Sequence, residues 1–177
     1  MKKIKTSFKD LFIVKGMTHI DNRGFFRELI HQKIVPQKII FTVVSKSKKN
    51  VLRGLHFQSI NPQGKFLSVL KGKIFDVAVD LRKNSKTYLK HFSCEISDRN
   101  NLSIYIPPGF AHGFYCYDKE NIILYGCTKY RHKNSEKGLI WNDKNLNIKW
   151  PRKKPIISKK DKLNITLKEY LDWWKLV

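Results

Sequence analysis

The segment 74–81 constrains the fold most, because its side chains alternate strictly between two faces of an extended chain. One face is wholly apolar, whereas the other places Asp76 and Asp80 beside Ile74 and Ala78. The apolar face consists of Phe75, Val77, Val79 and Leu81. A period of two predicts a β-strand, since a helix would spread both sets around its whole circumference.

Several shorter segments are also extended and apolar, and turn residues separate them. Strands are predicted for residues 64–70, 102–106, 114–117 and 122–128. Lys71-Gly72 predicts a tight turn, Pro107-Pro108-Gly109 ends the second of these strands, and the polar residues 118–121 join the last two as a pair. Short strands at this spacing predict an all-β sandwich or barrel.

Only two segments have helical features. Residues 30–36 predict a brief helix, and Thr166-Leu167-Lys168-Glu169 is a capping-box pattern near the C-terminal end. After this box, apolar residues recur at helical spacing at Leu167, Tyr170, Leu171 and Trp174. The basic run 151–162 predicts a loop. A length of 177 residues fits one domain, so we expect a single domain over residues 1–177, with short peripheral helices around a β core.

The net charge of +22, from 36 basic and 14 acidic residues, favours anionic partners. The basic residues are mostly lysines scattered along the chain, without an Arg-rich arm or an aromatic RNA-binding motif, so a nucleotide diphosphate is favoured over nucleic acid. No apolar run approaches the roughly 20 residues that a membrane span needs. Three cysteines without a C-x-x-C spacing, and no signal-peptide core, lead us to expect a cytoplasmic protein.

The residues that could carry chemistry lie in three places: Arg53-Gly54-Leu55-His56-Phe57-Gln58 followed by Lys65, Pro108-Gly109-Phe110-Ala111-His112, and the pair Asp76 and Tyr125 inside apolar strands. A histidine in such a strand is more often structural than catalytic, and a tyrosine there can be a core aromatic with a bonded hydroxyl. A buried carboxylate is more informative, because it is costly unless it meets a cation or lines a wet cavity. An interior that holds His, Asp, Lys and Tyr together is typical of proton-transfer chemistry.

A metal site is not expected. The spacing Pro-x-Gly-x-x-His that ends at His112 resembles the second motif of cupin barrels. Metal-binding cupins carry His-x-His in their first motif, whereas the matching place here reads His56-Phe57-Gln58. Two isolated histidines without a third ligand make a poor metal site.

Further motifs follow one another in a fixed order along nearly the whole chain. They are Asp21-Asn22-Arg23-Gly24-Phe25-Phe26-Arg27-Glu28, residues 45–58, Gln63-Gly64-Lys65, residues 69–82, residues 106–114, Trp141-Asn142-Asp143, Ile148-Lys149-Trp150-Pro151 and Ile157-Ser158-Lys159-Lys160-Asp161. In this set and spacing the sequence resembles the dTDP-4-dehydrorhamnose 3,5-epimerase family. The resemblance implies a cupin-type jelly roll, a homodimer and no cofactor.

The resemblance also implies roles for individual residues. His56 would be the base, Asp161 its partner in a His–Asp dyad, Lys65 the cation near the sugar C4 oxygen, and Tyr125 the acid on the opposite face. The substrate-binding residues would be Arg53, Gln58, Asp76, His112, Phe26 and Tyr130, with Arg23 and Glu28 touching the nucleotide across the dimer.

The chemistry of a 4-keto sugar explains these residue types. The hydrogens on C3 and C5 are acidic because the carbanion spreads onto O4 as an enolate. A neutral imidazole can remove such a proton near pH 7, and a carboxylate on its other nitrogen stabilises the imidazolium. A cation must meet the charge on O4, and a tyrosine hydroxyl can return a proton from the other face.

Three departures from the family pattern concern substrate recognition. Residues 41–44 replace a polar stretch, Gly126 replaces a lysine, and Arg131 stands where a second aromatic is common. The expected activity is 3,5-epimerisation of a nucleotide-linked 4-keto-6-deoxy sugar. The alternatives are a C3-only epimerase, a cupin keto-sugar isomerase and a non-enzymatic basic binding module, which a gel-shift assay would detect.

Overall fold

Thirteen β-strands and two helices build residues 1–175, the part of the chain that the computed structural model describes. The strands are β1 (Lys2–Lys5), β2 (Phe12–Lys15), β3 (Thr18–Asp21), β4 (Gly24–Arg27), β5 (Phe41–Lys48), β6 (Leu52–Gln58), β7 (Lys65–Lys71), β8 (Lys73–Asp80), β9 (His91–Ser97), β10 (Leu102–Ile106), β11 (Phe110–Cys116), β12 (Glu120–Cys127) and β13 (Glu136–Gly138). The helices are α1 (Lys159–Lys162) and α2 (Leu167–Lys175), and a 3-10 turn covers Lys133–Ser135.

The strands form two antiparallel sheets that pack face to face. The first sheet has the order β1-β2-β10-β7-β12-β5, and the second has the order β13-β6-β11-β8-β9. Strands β3 and β4 form a separate hairpin. The consecutive strands β10, β11 and β12 cross from one sheet to the other and back, as the strands of a jelly roll do. The all-β, cupin-type jelly-roll fold predicted from the sequence is confirmed.

The core between the sheets consists of aliphatic and aromatic side chains from both. Strand β8 shows how the sequence builds it, because Ile74 and Ala78 face this core while Val77 and Val79 face the other side of the sheet. Asp76 lies on the same face as Ile74 and Ala78 and is fully buried. The predicted alternation of residues 74–81 therefore places a carboxylate inside the sandwich.

Each sheet is covered on its outer face as well. Helix α2 packs Leu167 and Tyr170 against Phe57 and Leu81 on the second sheet. The first sheet is covered by the segment that contains Val35 and its apolar neighbours. Because both faces are covered, most strands of the sandwich have few exposed positions.

The strand predictions are largely confirmed, with one correction to the pairing. Strand β10 has the predicted bounds, and Gly72 makes the tight turn between β7 and β8 with φ +86°. The predicted segments 114–117 and 122–128 overlap β11 and β12, which both begin earlier and end one residue sooner, but they do not pair with each other. Strand β11 lies between β6 and β8, whereas β12 lies between β5 and β7. Residues 117–119 are thus a crossover between sheets and not a hairpin loop, and residues 120 and 121 already belong to β12.

The helix predictions have mixed outcomes. The capping box is confirmed, since the Thr166 backbone N–H donates to the Glu169 carboxylate at 2.6 Å and the Glu169 N–H donates to Thr166 Oγ1 at 3.2 Å. The helix predicted at residues 30–36 is wrong, since this segment forms turns. There the Gln32 side chain bonds backbone groups of Val35, Gln37 and Ile39, and Pro36 disfavours helical geometry before it.

The predicted loop at residues 151–162 ends in the short helix α1. Ser158 caps this helix by accepting a hydrogen bond from the Asp161 backbone N–H at 3.0 Å. Within residues 1–175, no helix is both long and apolar enough to cross a membrane.

Candidate active site

A cavity of about 570 Å³ is lined by residues of both sheets. The first sheet supplies Lys65 from β7 and Tyr125 from β12, and the second supplies His56 from β6 and His112 from β11. Asp161 reaches the same cavity from α1. Five side chains that the sequence places far apart are therefore brought together.

His56 and Asp161 form a hydrogen-bonded pair. The distance between His56 Nε2 and Asp161 Oδ1 is 2.6 Å, and the backbone N–H of Gly54 approaches Oδ2 at 3.4 Å. Burial alone would raise the pKa of Asp161, but the hydrogen bonds from His56, Gly54 and Ser158 outweigh burial and lower it. The carboxylate is thus ionised and 3% exposed, and it fixes the His56 ring from behind.

Gly54 explains how His56 comes to face His112. Its φ is +109°, and a Cβ at this position would lie 2.5 Å from the His112 carbonyl oxygen. Strand β6 can therefore approach β11 closely, with His56 directly opposite His112 in the antiparallel register. The glycine in the Arg-Gly-Leu-His motif is required by this contact between backbones.

Lys65 and Tyr125 project from the first sheet toward the same cavity. Lys65 is the register partner of Cys127, which is two residues beyond Tyr125 and so lies on the same face of β12. Burial lowers the pKa of the Lys65 ammonium from its ordinary value. The Lys65 side chain is consequently a desolvated cation whose charge a bound anion would stabilise.

The Tyr125 hydroxyl lies 3.0 Å from Ser45 Oγ on β5. Burial raises the pKa of Tyr125 far above that of a free phenol, although the hydrogen bond with Ser45 and the charge of Arg53 act in the opposite direction. The phenol therefore keeps its proton at neutral pH and can act as an acid.

A second histidine–carboxylate pair is more deeply buried than the pair of His56 and Asp161. His112 Nε2 is 2.8 Å from Asp76 Oδ2, and both residues are buried. His112 lines the cavity, whereas Asp76 lies behind it and does not. Asp76 Oδ1 has no hydrogen-bond partner among the residues that the structure describes. Asp76 thus contacts the cavity through His112.

Several lining residues were not singled out in the sequence. Ser45 and Cys127 line the cavity through the strand registers, and the segment before α1 adds Ile157, Ser158 and Lys160. The Ser-x-x-Asp spacing at residues 158–161 is an N-cap signal and could have revealed the helix that carries Asp161. Across residues 1–175, no group of three or more His, Cys, Asp or Glu side chains is placed to hold a metal ion.

The comparisons with known proteins agree with this geometry. The family described as dTDP-4-dehydrorhamnose 3,5-epimerase matches residues 5–169 of the chain. The dTDP-4-dehydrorhamnose 3,5-epimerase of Methanothermobacter thermautotrophicus is 41% identical over 90% of each chain. The chain belongs to the dTDP-4-dehydrorhamnose 3,5-epimerase family.

Other members of the 3,5-epimerase family are similar to the same degree. The enzyme of Shigella flexneri is 41% identical, over 91% of this chain and 93% of its own. A crystal structure of dTDP-6-deoxy-D-glucose-3,5-epimerase from Legionella pneumophila, in complex with dTDP-4-keto-L-rhamnose, is 37% identical with a TM-score of 0.90, over 94% of this chain and 93% of its own. This chain is an isomerase of the carbohydrate-epimerase type, and its resemblance to the family is confirmed.

The remaining predicted site residues of this epimerase lie outside the main cavity or at its rim. Arg53 lines the cavity, and its side chain donates hydrogen bonds to Ser47 Oγ at 2.9 Å and to the Lys46 carbonyl at 3.2 Å. Gln58 lies in a smaller adjoining cavity of about 200 Å³. Tyr130 is exposed and stacks on Phe41, with 5.6 Å between the ring centroids.

Three predicted substrate-binding residues of the epimerase, two of them predicted to touch the nucleotide, lie on or beside the β3–β4 hairpin and do not line the cavity. Arg23, in the turn of the hairpin, is exposed and pairs with Asp21 at 2.6 Å. Phe26 is exposed on β4, and Glu28 is the first residue after that strand. Within one copy of the chain, the structure does not bring Arg23, Phe26 and Glu28 to the dyad.

Proposed function

We propose that this epimerase converts dTDP-4-dehydro-6-deoxy-D-glucose into dTDP-4-dehydro-L-rhamnose by inverting C3 and C5. The observation that carries the proposal is the His56–Asp161 pair in one cavity with Lys65 and Tyr125. A base with a fixed partner, a desolvated cation and a protonated phenol are the groups that this proton transfer needs. The reaction leaves the oxidation state of the substrate unchanged, so the chemistry requires no hydride carrier.

The first step is removal of a proton from a carbon next to the ketone. His56 takes the C3 or C5 proton, and the electron pair of the C–H bond moves through the carbonyl to O4. Asp161, already ionised, stabilises the imidazolium that forms. Lys65 meets the negative charge on O4, which favours the enolate over the ketone in the transition state.

The second step returns a proton to the opposite face. Tyr125 would give this proton; in support, it lies on the other sheet from His56 and still carries its own proton. Its phenolate would be stabilised by the hydrogen bond with Ser45 and by the charge of Arg53 until the proton is restored. Arg53 and His112, with Asp76 behind it, would bind the sugar and its diphosphate.

The exposed hairpin supports the proposal of a homodimer. Ile20, Phe25 and Phe26 are all exposed on strands β3 and β4, which is unusual for large apolar side chains on one hairpin. A second copy of the chain would cover them and would bring Arg23, Phe26 and Glu28 to the nucleotide of its partner.

A cytoplasmic location stays a prediction.

Proton NMR of dTDP-4-dehydro-6-deoxy-D-glucose in D2O tests the function directly. We expect deuterium to enter C3 and C5 with the wild-type enzyme and neither position with His56→Ala. His91→Ala is the matched control, since His91 lies on β9 outside the cavity. Exchange at C3 alone would establish a C3-only epimerase, and no exchange would show that another nucleotide sugar is the substrate.

A further inference from the structure

Glu136 joins two cations at the rim of the active site. Its carboxylate accepts hydrogen bonds from Arg131 Nε through one oxygen and from Lys160 Nζ through the other. Arg131 belongs to the segment after β12, Glu136 begins β13, and Lys160 lies in α1 beside Asp161. One carboxylate thus connects three segments that are separate in the chain.

Glu136 and Lys65 also line one small cavity beside the active site. Glu136, Arg131 and Lys65 line the smaller cavity, and this cavity shares His56 and Lys65 with the main one. Burial opposes the charge of Glu136, but the bonds from Arg131 and Lys160 lower its pKa to about 2. At neutral pH a permanent negative charge therefore lies in the same cavity as the half-buried Lys65 ammonium.

The other titratable groups around Lys65 do not replace Glu136. They are His56 and Arg53 on β6, His112 on β11 with Asp76 behind it on β8, Tyr125 and Cys127 on β12, and Lys160 and Asp161 on α1. Asp76 already bonds His112, and Asp161 bonds His56. Burial lowers the pKa of Lys65, while Cys127, Glu136 and Asp76 oppose that effect. Since burial also raises the pKa of the Cys127 thiol, Cys127 is uncharged at neutral pH.

We propose that Glu136 is a positioning residue that keeps Lys65 in its ammonium form and holds Arg131 and Lys160 in place at the rim of the active site. The inference rests on the proposed function for its catalytic consequence, because there Lys65 must be charged to stabilise O4. The effect of the Glu136 charge on the protonation of Lys65 does not depend on the substrate and can be tested without it.

The direct test is an NMR titration of the Lys65 side chain in protein labelled with 13C-lysine, with the Lys65 signal assigned from Lys65→Met. In Glu136→Gln the Lys65 ammonium loses a nearby negative charge, so the midpoint of its titration should move to lower pH. In Arg131→Gln a nearby positive charge is lost instead, and the midpoint should move to higher pH. Opposite shifts from two neighbouring substitutions cannot come from loosened packing alone, and Arg131 is exposed enough for its variant to fold.

Glu120→Gln is the matched control. Glu120 also accepts bonds from two lysines, Lys46 and Lys71, but it lies outside both cavities. We expect the Lys65 midpoint in Glu120→Gln to equal that of the wild type. An unchanged midpoint in Glu136→Gln, or an equal shift in Glu120→Gln, overturns the proposal.

Kinetics then separate the inference from the proposed function. If Lys65 stabilises O4, the alkaline fall of kcat in Glu136→Gln should move to lower pH in parallel with the NMR midpoint. Glu136→Asp, which keeps the charge, should restore most of the wild-type profile. A shifted NMR midpoint with an unshifted pH profile of kcat upholds the control of Lys65 by Glu136 and overturns the catalytic role of Lys65.

Discussion

His56 Nε2 lies 2.6 Å from Asp161 Oδ1, although 105 positions separate the two residues in the chain. Asp161→Asn keeps the shape of the side chain but removes its charge, so the imidazolium formed during proton removal is no longer stabilised. We expect kcat to fall by roughly 100-fold or more. Deuterium wash-in at C3 and C5 measures the loss. The exposed Asp172→Asn on α2 serves as the control, and a wild-type rate in Asp161→Asn would contradict the dyad.

Tyr125→Phe separates the two proton transfers. His56 can still remove a proton in this variant, but no acid remains on the opposite face. We expect deuterium to enter without inversion of the carbon, while formation of the epimerised sugar falls about 100-fold or more. NMR distinguishes exchange with retention from exchange with inversion in the same sample. Tyr117→Phe, which removes a hydroxyl outside the cavity, should behave as the wild type.

Lys65→Met removes the cation that we propose to stabilise the charge on O4. The expected fall in kcat is on the order of 100- to 1,000-fold, the effect of removing one oxyanion donor. Lys71→Met lies at the other end of the same strand, outside the cavity, and should keep full activity. Steady-state rates and the far-UV spectrum of both variants would be compared, and equal activity of the two would argue against a catalytic Lys65.

The buried Asp80 carboxylate should make the free energy of unfolding depend on pH. Burial opposes its charge, but hydrogen bonds from Arg82, Ser85 and Thr87 lower its pKa below the ordinary 3.8. A lowered pKa in the folded state contributes stability above the unfolded-state pKa and loses it as the pH falls through the folded value. Asp80→Asn should therefore cost about 2–3 kcal/mol at pH 7 and flatten the loss of stability in acid. Urea unfolding between pH 7 and pH 3 measures both effects, and an Asp80→Asn curve parallel to that of the wild type would contradict them.

The hairpin makes the homodimer testable. Ile20→Lys combined with Phe25→Asp places charges on the apolar surface of β3 and β4 without touching the cavity. We expect analytical ultracentrifugation to show a dimer for the wild type and a monomer for the double variant. Leu163→Lys alters an exposed apolar residue elsewhere and should leave the dimer intact. A double variant that remains dimeric would place the interface on another surface.

The strands could be predicted because their signal is local. The alternation of residues 74–81 and the turn at Gly72 depend only on neighbours in the chain, and the structure has both. The pairing of β11 and β12 was wrong because sheet membership depends on which distant strands each one meets. A short polar connection of residues 118–121 is compatible with either a hairpin or a crossover.

The candidate site could be predicted from the resemblance far better than from residue chemistry. The sequence around His56 is that of an ordinary strand histidine. Its partner Asp161 is distant in the chain, and only the fold brings the two together. Glu136 and Lys160 were missed because an ion pair on a surface strand has no local pattern. The prediction of a helix at residues 30–36 is wrong because the Gln32 side-chain amide bonds backbone groups that a helix would have used.

The position of α1 has a consequence for how the enzyme is made on the ribosome. The last strand described ends at Gly138, whereas Asp161 lies beyond it, on a short helix that docks against β6. The strands are therefore all synthesised before Asp161, and His56 lacks its carboxylate partner until the segment after Gly138 has been made. A fragment that stops before Ser158 would contain the sequence of all these strands but neither Asp161 nor the helix α2 that covers the second sheet, so the His56–Asp161 pair could not form in it.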